Sequence, residues 1–585
     1  LDCSSLINEE NDCAEIKVYR VGYHPEDKQD KPIGSVEIPT SIINVRNVYA
    51  THTILVESSV GTLNFEVDGQ KIMIPKPANH NIYIPFGIQA NPMGVGGDYI
   101  GFPMVADVGF MLDKHQKAAF SNLQIRNYRS PSNVLFAEDI PDDGKYQGIF
   151  AKALKGSKTN VEIKNHSIIL SGGQNGCFVV ADPTRNAMPM LRTVVDNGNK
   201  NIRSARVYVT ARGVYELWIN GKRVGNDWFN PGLSQYDKTH FYQTYDVTSL
   251  LHKGKNTVGV MLGEGWWSGN LSYLPVNWNY FGDRQSLLMK MVIRFNDGTS
   301  KTITSDPSKW KYFANGPVRY GSFFQGEVYN ATKEQLIEKW ATSDYDDSVW
   351  SKTMEVLTDG TTYKDSLTEK DHQATVEKMP VFSNPDQTEL IGQIGENVKQ
   401  VNELTAQRVS EVRRGVYVYD MGQNMVGVPC IHLEGYKKGH VITFRFAEMQ
   451  YPDLKECREN KDMIMLENIR AALAQDIYRC KGGKETFQPR FTFHGYRYVE
   501  ITGLDKPLPL SFVKGKVLSS VPQITSRYST SNPDVNRLWE NICWSMQGNF
   551  LSIPTDCPQR NERMGWSGDI LVFSRTATYM GMVPQ

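Results

Sequence analysis

The 585-residue chain has no excess of either charge: Lys and Arg together number 64, and so do Asp and Glu. A balanced chain lacks the electrostatic footprint that a nucleic-acid or anionic-membrane partner requires, so neither is expected and a neutral or small ligand is. Cysteine is sparse, with 8 residues scattered from Cys3 to Cys557 and neither a C-x-x-C pair nor a His-Cys cluster. This spacing excludes a structural zinc site and a disulfide framework. At most, Cys3 with Cys13 and Cys457 with Cys480 are near enough in sequence to pair in an oxidising compartment. No apolar run is long enough for a membrane span. Leu1-Asp2-Cys3-Ser4-Ser5 is neither a basic nor an apolar leader and reads as a trimmed N-terminus, which with Cys3 suits a lipoprotein origin and an extracytoplasmic location, periplasmic or cell-surface. Oxygen-bearing residues such as Asp98, Asp107 and Asn122 are too scattered to define a cation loop, so no metal and no other cofactor is expected.

At this length a single core is ruled out and several domains are expected. Up to about residue 520 the hydrophobic period is mainly two, in short segments bounded by Gly, Pro, Asn and Asp, the pattern of stacked antiparallel sandwiches. Arg206-Val207-Tyr208-Val209-Thr210 and Val214-Tyr215-Glu216-Leu217-Trp218-Ile219 alternate, and Asn220-Gly221 then suits a type I′ hairpin before Lys222-Arg223-Val224. The stretch 246–251 supplies a short capped turn, and 256–262 is again strand-like. Residues 1–135 read as a lectin-like (concanavalin-like) sandwich and 136–195 as connecting strands. Residues 196–365 read as a jelly roll and 366–520 as a further β-sandwich. The polar stretch 358–400 links these last two, and 389–403 is too irregular to assign.

Past residue 530 the period changes. Ser531-Asn532-Pro533-Asp534 offers a cap and an early proline before Val535, Leu538, Trp539, Ile542, Cys543 and Met546, which share one helical face. A loop over 552–568 follows, and apolar helical spacing resumes over 570–579. The fold class is therefore mainly β, with tandem antiparallel β-sandwich and jelly-roll domains, and the helices over 521–585 either pack on a sheet or open a helical domain.

The loop between those helices, Asp556-Cys557-Pro558-Gln559-Arg560-Asn561-Glu562-Arg563-Met564-Gly565-Trp566-Ser567-Gly568-Asp569, concentrates three carboxylates, two arginines and a tryptophan. Carboxylates bond sugar hydroxyls and an indole covers the ring's apolar face, so the mixture suits carbohydrate binding. From composition alone, a solvated loop whose carboxylates pair with Arg560 and Arg563 accounts for the cluster equally well.

Over fourteen consecutive positions this segment resembles the signature loop of the bacterial α-L-rhamnosidases of glycoside hydrolase family 78. The resemblance implies a truncated (α/α)6 barrel, with Glu562 as general acid toward the glycosidic oxygen. It also implies that Asp556, Arg560, Trp566 and Asp569 hold rhamnose or tune that acid. Asn561 stands where the family often has Asp, which removes a charge beside Glu562. Residues 213–225 with Phe229-Asn230-Pro231-Gly232 and Gly263-Glu264-Gly265-Trp266-Trp267 are similar to the family's N-terminal jelly roll. Tyr419-Asp420-Met421-Gly422-Gln423-Asn424-Met425-Val426-Gly427, Phe446-Ala447-Glu448 and 487–498 are similar to the sandwich before the barrel. His494, Glu264 and Trp266 are expected to serve the fold, and Arg497 to lie at the surface.

The implied activity is inverting release of terminal α-L-rhamnose from a rhamnose-containing oligosaccharide or glycoside, in which one carboxylic acid protonates the leaving oxygen and a second carboxylate activates water. An acid working near neutral pH needs a raised pKa. Burial and the carboxylates of Asp556 and Asp569 would raise that of Glu562, whereas Arg560 and Arg563 would oppose them. In the family the base lies late in the barrel, so here it is expected beyond Gln585, the chain reads as part of a longer polypeptide, and the fragment alone is expected to be inactive. Two rivals are a carbohydrate-binding multi-sandwich protein without turnover and a glycosidase or lyase of other sugar specificity on the same helical toroid.

Overall fold

The structure is a computed structural model. It describes residues 188–269, 281–282, 285–356, 388–469 and 472–583, and earlier the stretches 1–7, 13–19, 32, 34–59, 62–72, 108–112, 116–127, 130–138, 140–146, 160–171 and 177–181. Two small cores occupy the first part. Ala14–Val18 pairs with Gly34–Ile38, and the Ile54–Ser59, Thr62–Val67 and Gln70–Ile72 meander packs with it around Ile16, Ile38, Phe65 and Val67. A second core gathers Leu112, Ile168 and Leu170, with Phe110 stacked on Phe120 at 4.1 Å. Here pairing crosses residue 135: Lys117–Phe120 runs beside Ser167–Ser171, and Val108–Leu112 beside Cys177–Ala181.

The jelly roll is built on the alternation visible in the sequence. Val207 and Val209 of the Ile202–Arg212 strand point inward and meet Leu217, Ile219, Val258 and Val260 from the facing six-stranded sheet. Asn220 and Gly221 adopt positive φ of 49° and 80°, the left-handed pair a type I′ turn demands. The Glu389–Gly392 strand, within the stretch whose pattern was too irregular to assign, lies parallel to Thr239–Asp246 at the edge of this sandwich. Its continuation, Lys399–Thr405, pairs instead with Val513–Ser519 in the next sheet, with an irregularity between Gln400 and Asn402. Two edge strands in different sheets do not show one period, which is why the alternation fails there.

That next sheet centres on Val416–Tyr436. Its register with His494–Thr502 jumps from Asp420 opposite Tyr498 to Met425 opposite Tyr496, so Met421 to Asn424 bulge from the ladder. The Val318–Ser322 and Gly326–Asn330 hairpin enters the same sheet through parallel pairing with Gln475–Arg479, stitching the two sandwiches together. His494 and Asp476 are fully buried and bonded at 3.1 Å, and Arg497 clasps Asp420 at 2.8 and 3.0 Å, so both residues serve the fold.

The Pro533–Asn549 helix starts where its cap predicts: Asn532 Oδ1 accepts from Asp534 N–H at 2.9 Å and Val535 N–H at 3.4 Å. The Ser567–Met580 helix packs Ala577 and Met580 against Met546, Phe550 and Val521, while Leu571 and Val572 remain exposed. Among the described residues no helix is long and apolar enough to cross a membrane. The thiols of Cys3, Cys457 and Cys480 are unbridged, so neither candidate disulfide forms.

Candidate active site

Between the two helices the chain is tied down at both ends. Thr555 N–H donates to Asn549 O at 2.6 Å, and Asp556 N–H to Met564 O at 3.0 Å, while Met564 N–H returns a bond to Asp556 Oδ1 at 3.2 Å. Ser552 is locked to the jelly roll, where its Oγ accepts from Leu233 N–H at 2.9 Å, directly after Gly232. Gly232 has φ +86°, and a Cβ there would collide with that hydroxyl, so only glycine allows this approach.

The main anchor is Arg563. The sequence suggested that it would pair with the loop carboxylates or oppose protonation of Glu562, but the side chain is buried and turned into the sandwiches. It donates to the carbonyls of Phe323, Phe493 (2.6 Å), Arg560 (3.0 Å) and Gln559 (3.3 Å), and its guanidinium lies over the Phe493 ring at 4.7 Å. Burial pushes its pKa down to about 9. Trp266 Nε1 in turn donates to Arg563 O at 3.3 Å, and its ring meets Phe323 edge-on at 4.6 Å. Phe229, Phe323 and Phe493 complete a buried aromatic floor. Three motifs far apart in sequence thus meet beneath one loop, and Trp266 supports it rather than facing solvent.

Above this floor the structure brings Asp556, Arg560 and Glu562 together. Arg560 Nη2 donates to Glu562 Oε2 at 3.1 Å, and Glu562 is buried to within 9% of full coverage. Asp556, Cys557 and Glu562 each place a polar side-chain atom within 4.8 Å of the others. Burial opposes ionisation of Glu562, but hydrogen bonds from Asp556 and Arg560 outweigh it and hold its pKa at about 2. Burial, and then hydrogen bonding to Glu562, lifts Asp556 to about 6. Burial and the Asp556 charge push the Cys557 thiol up to about 12. The three side chains are of a kind that could hold a metal ion, and Asp556 and Glu562 share a hydrogen bond. Arg560 bonds Glu562 and opposes its protonation, as the sequence anticipated for an arginine in this loop.

Trp566 and Asp569 do not join this cluster. Trp566 occupies the cap position of the last helix and is 41% exposed, and Asp569 lies exposed in that helix's first turn. Asn561 is buried. Asp98 and Asp107 lie outside the described residues, as do 357–387 of the polar linker.

One side of the site had no assigned role in the sequence reading. Gln559 lies so close over Gly495 that a Cβ there would sit 2.8 Å from its own Cβ. Glu448 follows the Val441–Ala447 strand and accepts from Asn424 Nδ2 at 2.9 Å and Asn468 Nδ2 at 3.4 Å. Burial raises the Glu448 pKa against the pull of Asn424 and of the Arg560 charge. The available signal was a carboxylate ending the strand-like stretch Phe444-Arg445-Phe446-Ala447.

Three family models match the chain in succession: the alpha-L-rhamnosidase N-terminal domain over 200–376, the bacterial alpha-L-rhamnosidase concanavalin-like domain over 410–519, and the bacterial alpha-L-rhamnosidase 6 hairpin glycosidase domain over 523–583. An alpha-L-rhamnosidase of Streptomyces avermitilis is 37% identical over 398 residues, which is 68% of this chain and 35% of that protein. One from an Alteromonas species is 36% identical over 388 residues, 66% of this chain and 38% of that protein. The crystal structure of the Streptomyces avermitilis enzyme complexed with L-rhamnose superposes with a TM-score of 0.59 at 35% identity, covering 69% of this chain and 36% of that one. The chain therefore spans little more than a third of the length of the curated relatives it matches.

Proposed function

The chain belongs to the bacterial α-L-rhamnosidase family, and on that premise we propose that it forms the acid-bearing part of an inverting glycosidase releasing terminal α-L-rhamnose from glycans or glycosides. The observation that carries this reading is the Asp556–Glu562–Arg560 cluster, seated on a rigid aromatic floor in the segment matched by the glycosidase domain. The relative solved with L-rhamnose supports the sugar class.

In this reading Glu562 delivers a proton to the glycosidic oxygen and Asp556 stores it. Arg560, Asp569 and the exposed face of Trp566 receive the sugar. Asp556 is not the base: it lies within 4.8 Å of Glu562, whereas an inverting pair stands roughly 6.5–9.5 Å apart to admit water. We assign the base to residues beyond Gln585, in a complete helical domain.

The test is Glu562→Gln in a polypeptide carrying that domain. Turnover of an unactivated rhamnoside should fall by a factor of about 10²–10⁴, and that of an aryl rhamnoside with a good leaving group much less, since it needs little protonation. Equal losses on both substrates would reduce Glu562 to holding the sugar.

A further inference from the structure

The loop that carries Glu562 takes its position from two backbone carbonyls on different parts of the chain. Arg563, the next residue, donates to Phe323 O and, at 2.6 Å, to Phe493 O. Its own backbone is left-handed, with φ +55°, a conformation that any residue with a Cβ resists and that outside contacts must therefore hold. Phe323 sits in the turn between the Val318–Ser322 and Gly326–Asn330 strands, and Phe493 directly precedes the His494–Thr502 strand. One carboxylate ties these two segments together. Asp476 Oδ1 accepts the Glu327 N–H at 2.8 Å, four residues after Phe323, and both Asp476 oxygens lie 3.1 Å from His494 Nε2, one residue after Phe493. Asp476 and His494 are fully buried, and the His494 ring stacks on Phe446 with centroids 4.0 Å apart. The other ring nitrogen of His494 is buried with no hydrogen-bond partner, so among the described residues the ring's polar hold is Asp476. Glu327 adds a second tie, since its Oε2 accepts the Arg490 and Phe491 N–H groups at 2.8 and 3.0 Å.

We propose that Asp476, through its bonds to Glu327 and His494, is a positioning residue of the site: it fixes the spacing of the Phe323 and Phe493 carbonyls, and their grip on Arg563 sets where Glu562 stands. The inference rests on Glu562 being the general acid. An acid delivers its proton only from within hydrogen-bond reach of the glycosidic oxygen. Releasing either carbonyl lets the backbone at Arg563 relax from its left-handed form and carries the adjoining Glu562 carboxyl away from that oxygen. Trp566 and Asp569 belong to the start of the last helix and lie outside this linkage, so binding of the sugar changes little.

The experiment measures kcat and KM on an unactivated rhamnoside and on an aryl rhamnoside with a good leaving group. Wild type is compared with Asp476→Ala, His494→Leu, His494→Gln and Glu562→Gln, in a polypeptide with the complete helical domain. Asp476→Ala should lower kcat on the unactivated substrate by about 10–100-fold with KM within about twofold, and lower it much less on the aryl substrate, as a displaced acid requires. His494→Leu cuts one of the two ties, so it should show the same pattern at smaller size, and it carries the test should Asp476→Ala fail to fold. His494→Gln keeps a donor near the Nε2 position and should recover most of that loss. In a Glu562→Gln background Asp476→Ala should add little, because the group it positions is gone. Equal losses on both substrates overturn the inference, since a fall in folded enzyme does not distinguish leaving groups. So do unaltered kinetics, or a full further loss in the Glu562→Gln background. If Glu562→Gln itself costs both substrates equally, the acid assignment fails. If it spares the aryl substrate while Asp476→Ala does not, only the role of Asp476 falls.

Discussion

Glu264 shows how burial alone can remove a charge. Its side chain is mostly covered, its buried Oε2 has no hydrogen-bond partner among the described residues, and burial raises its pKa to about 8, so it is held as a neutral acid below that pH. In the unfolded chain a glutamate ionises near 4.3. Between roughly pH 4.3 and 8 the folded state therefore binds a proton that the unfolded state has released, and stability falls as pH rises through that window. Above it both states are ionised and the dependence ends. Glu264→Gln should remove this slope, giving a higher unfolding midpoint than wild type at pH 8 and nearly the same midpoint at pH 5. A wild-type slope in the variant would show that Glu264 ionises normally in the fold. Glu327 is also raised to about 8, by burial first, but its Oε2 accepts the backbone N–H groups of Arg490 and Phe491, so its substitution would mix charge with lost geometry.

The two terminal helices differ in how they begin. Asn532 caps the first with its side chain, whereas Trp566 occupies the cap position of the last helix and makes no side-chain cap bond. At 41% exposed, the indole presents part of its surface to a ligand. With the complete domain present, Trp566→Ala should weaken L-rhamnose binding by roughly three- to tenfold, the loss of one aromatic platform, and leave the unfolding midpoint nearly unchanged. Calorimetric titration with thermal unfolding separates the possibilities. A large fall in midpoint with unaltered affinity in the folded fraction would make Trp566 a packing residue.

Across the whole molecule burial is uneven. The sandwiches close around three large clusters, while Leu571 and Val572 on the last helix are 79% and 84% exposed, with Tyr579 and Leu538 also open. Such a stripe has the character of an interface awaiting the rest of a helical domain. The 1–585 chain alone should therefore keep its sandwiches protected against hydrogen exchange while the two helices exchange much faster. On the proposal that the base belongs to the rest of the helical domain, it should turn over no aryl α-L-rhamnoside. Turnover comparable to that of the longer polypeptide, abolished by Glu562→Gln, would place the base within these residues and overturn this reading.

Local chemistry was legible in the sequence. The type I′ turn at Asn220-Gly221, the cap at Asn532 and the alternation of Val207 with Val209 depend on neighbours a few residues away, and each formed as its pattern required. The loop's chemical character was legible as well, because carboxylates, arginines and an indole keep their functional groups whatever the fold. Tertiary structure decided how those groups are shared. Arg563 and Arg560 are equivalent in composition, yet one is buried under four backbone carbonyls and the other meets Glu562, since only the assembled floor of Phe323, Phe493 and Trp266 distinguishes their surroundings. Which carboxyl group takes Arg560 was decided the same way: the fold sets its guanidinium on Glu562. Glu448 meets Asn424 and Asn468 only because segments distant in sequence are brought together by the sheet, a juxtaposition that no local pattern records.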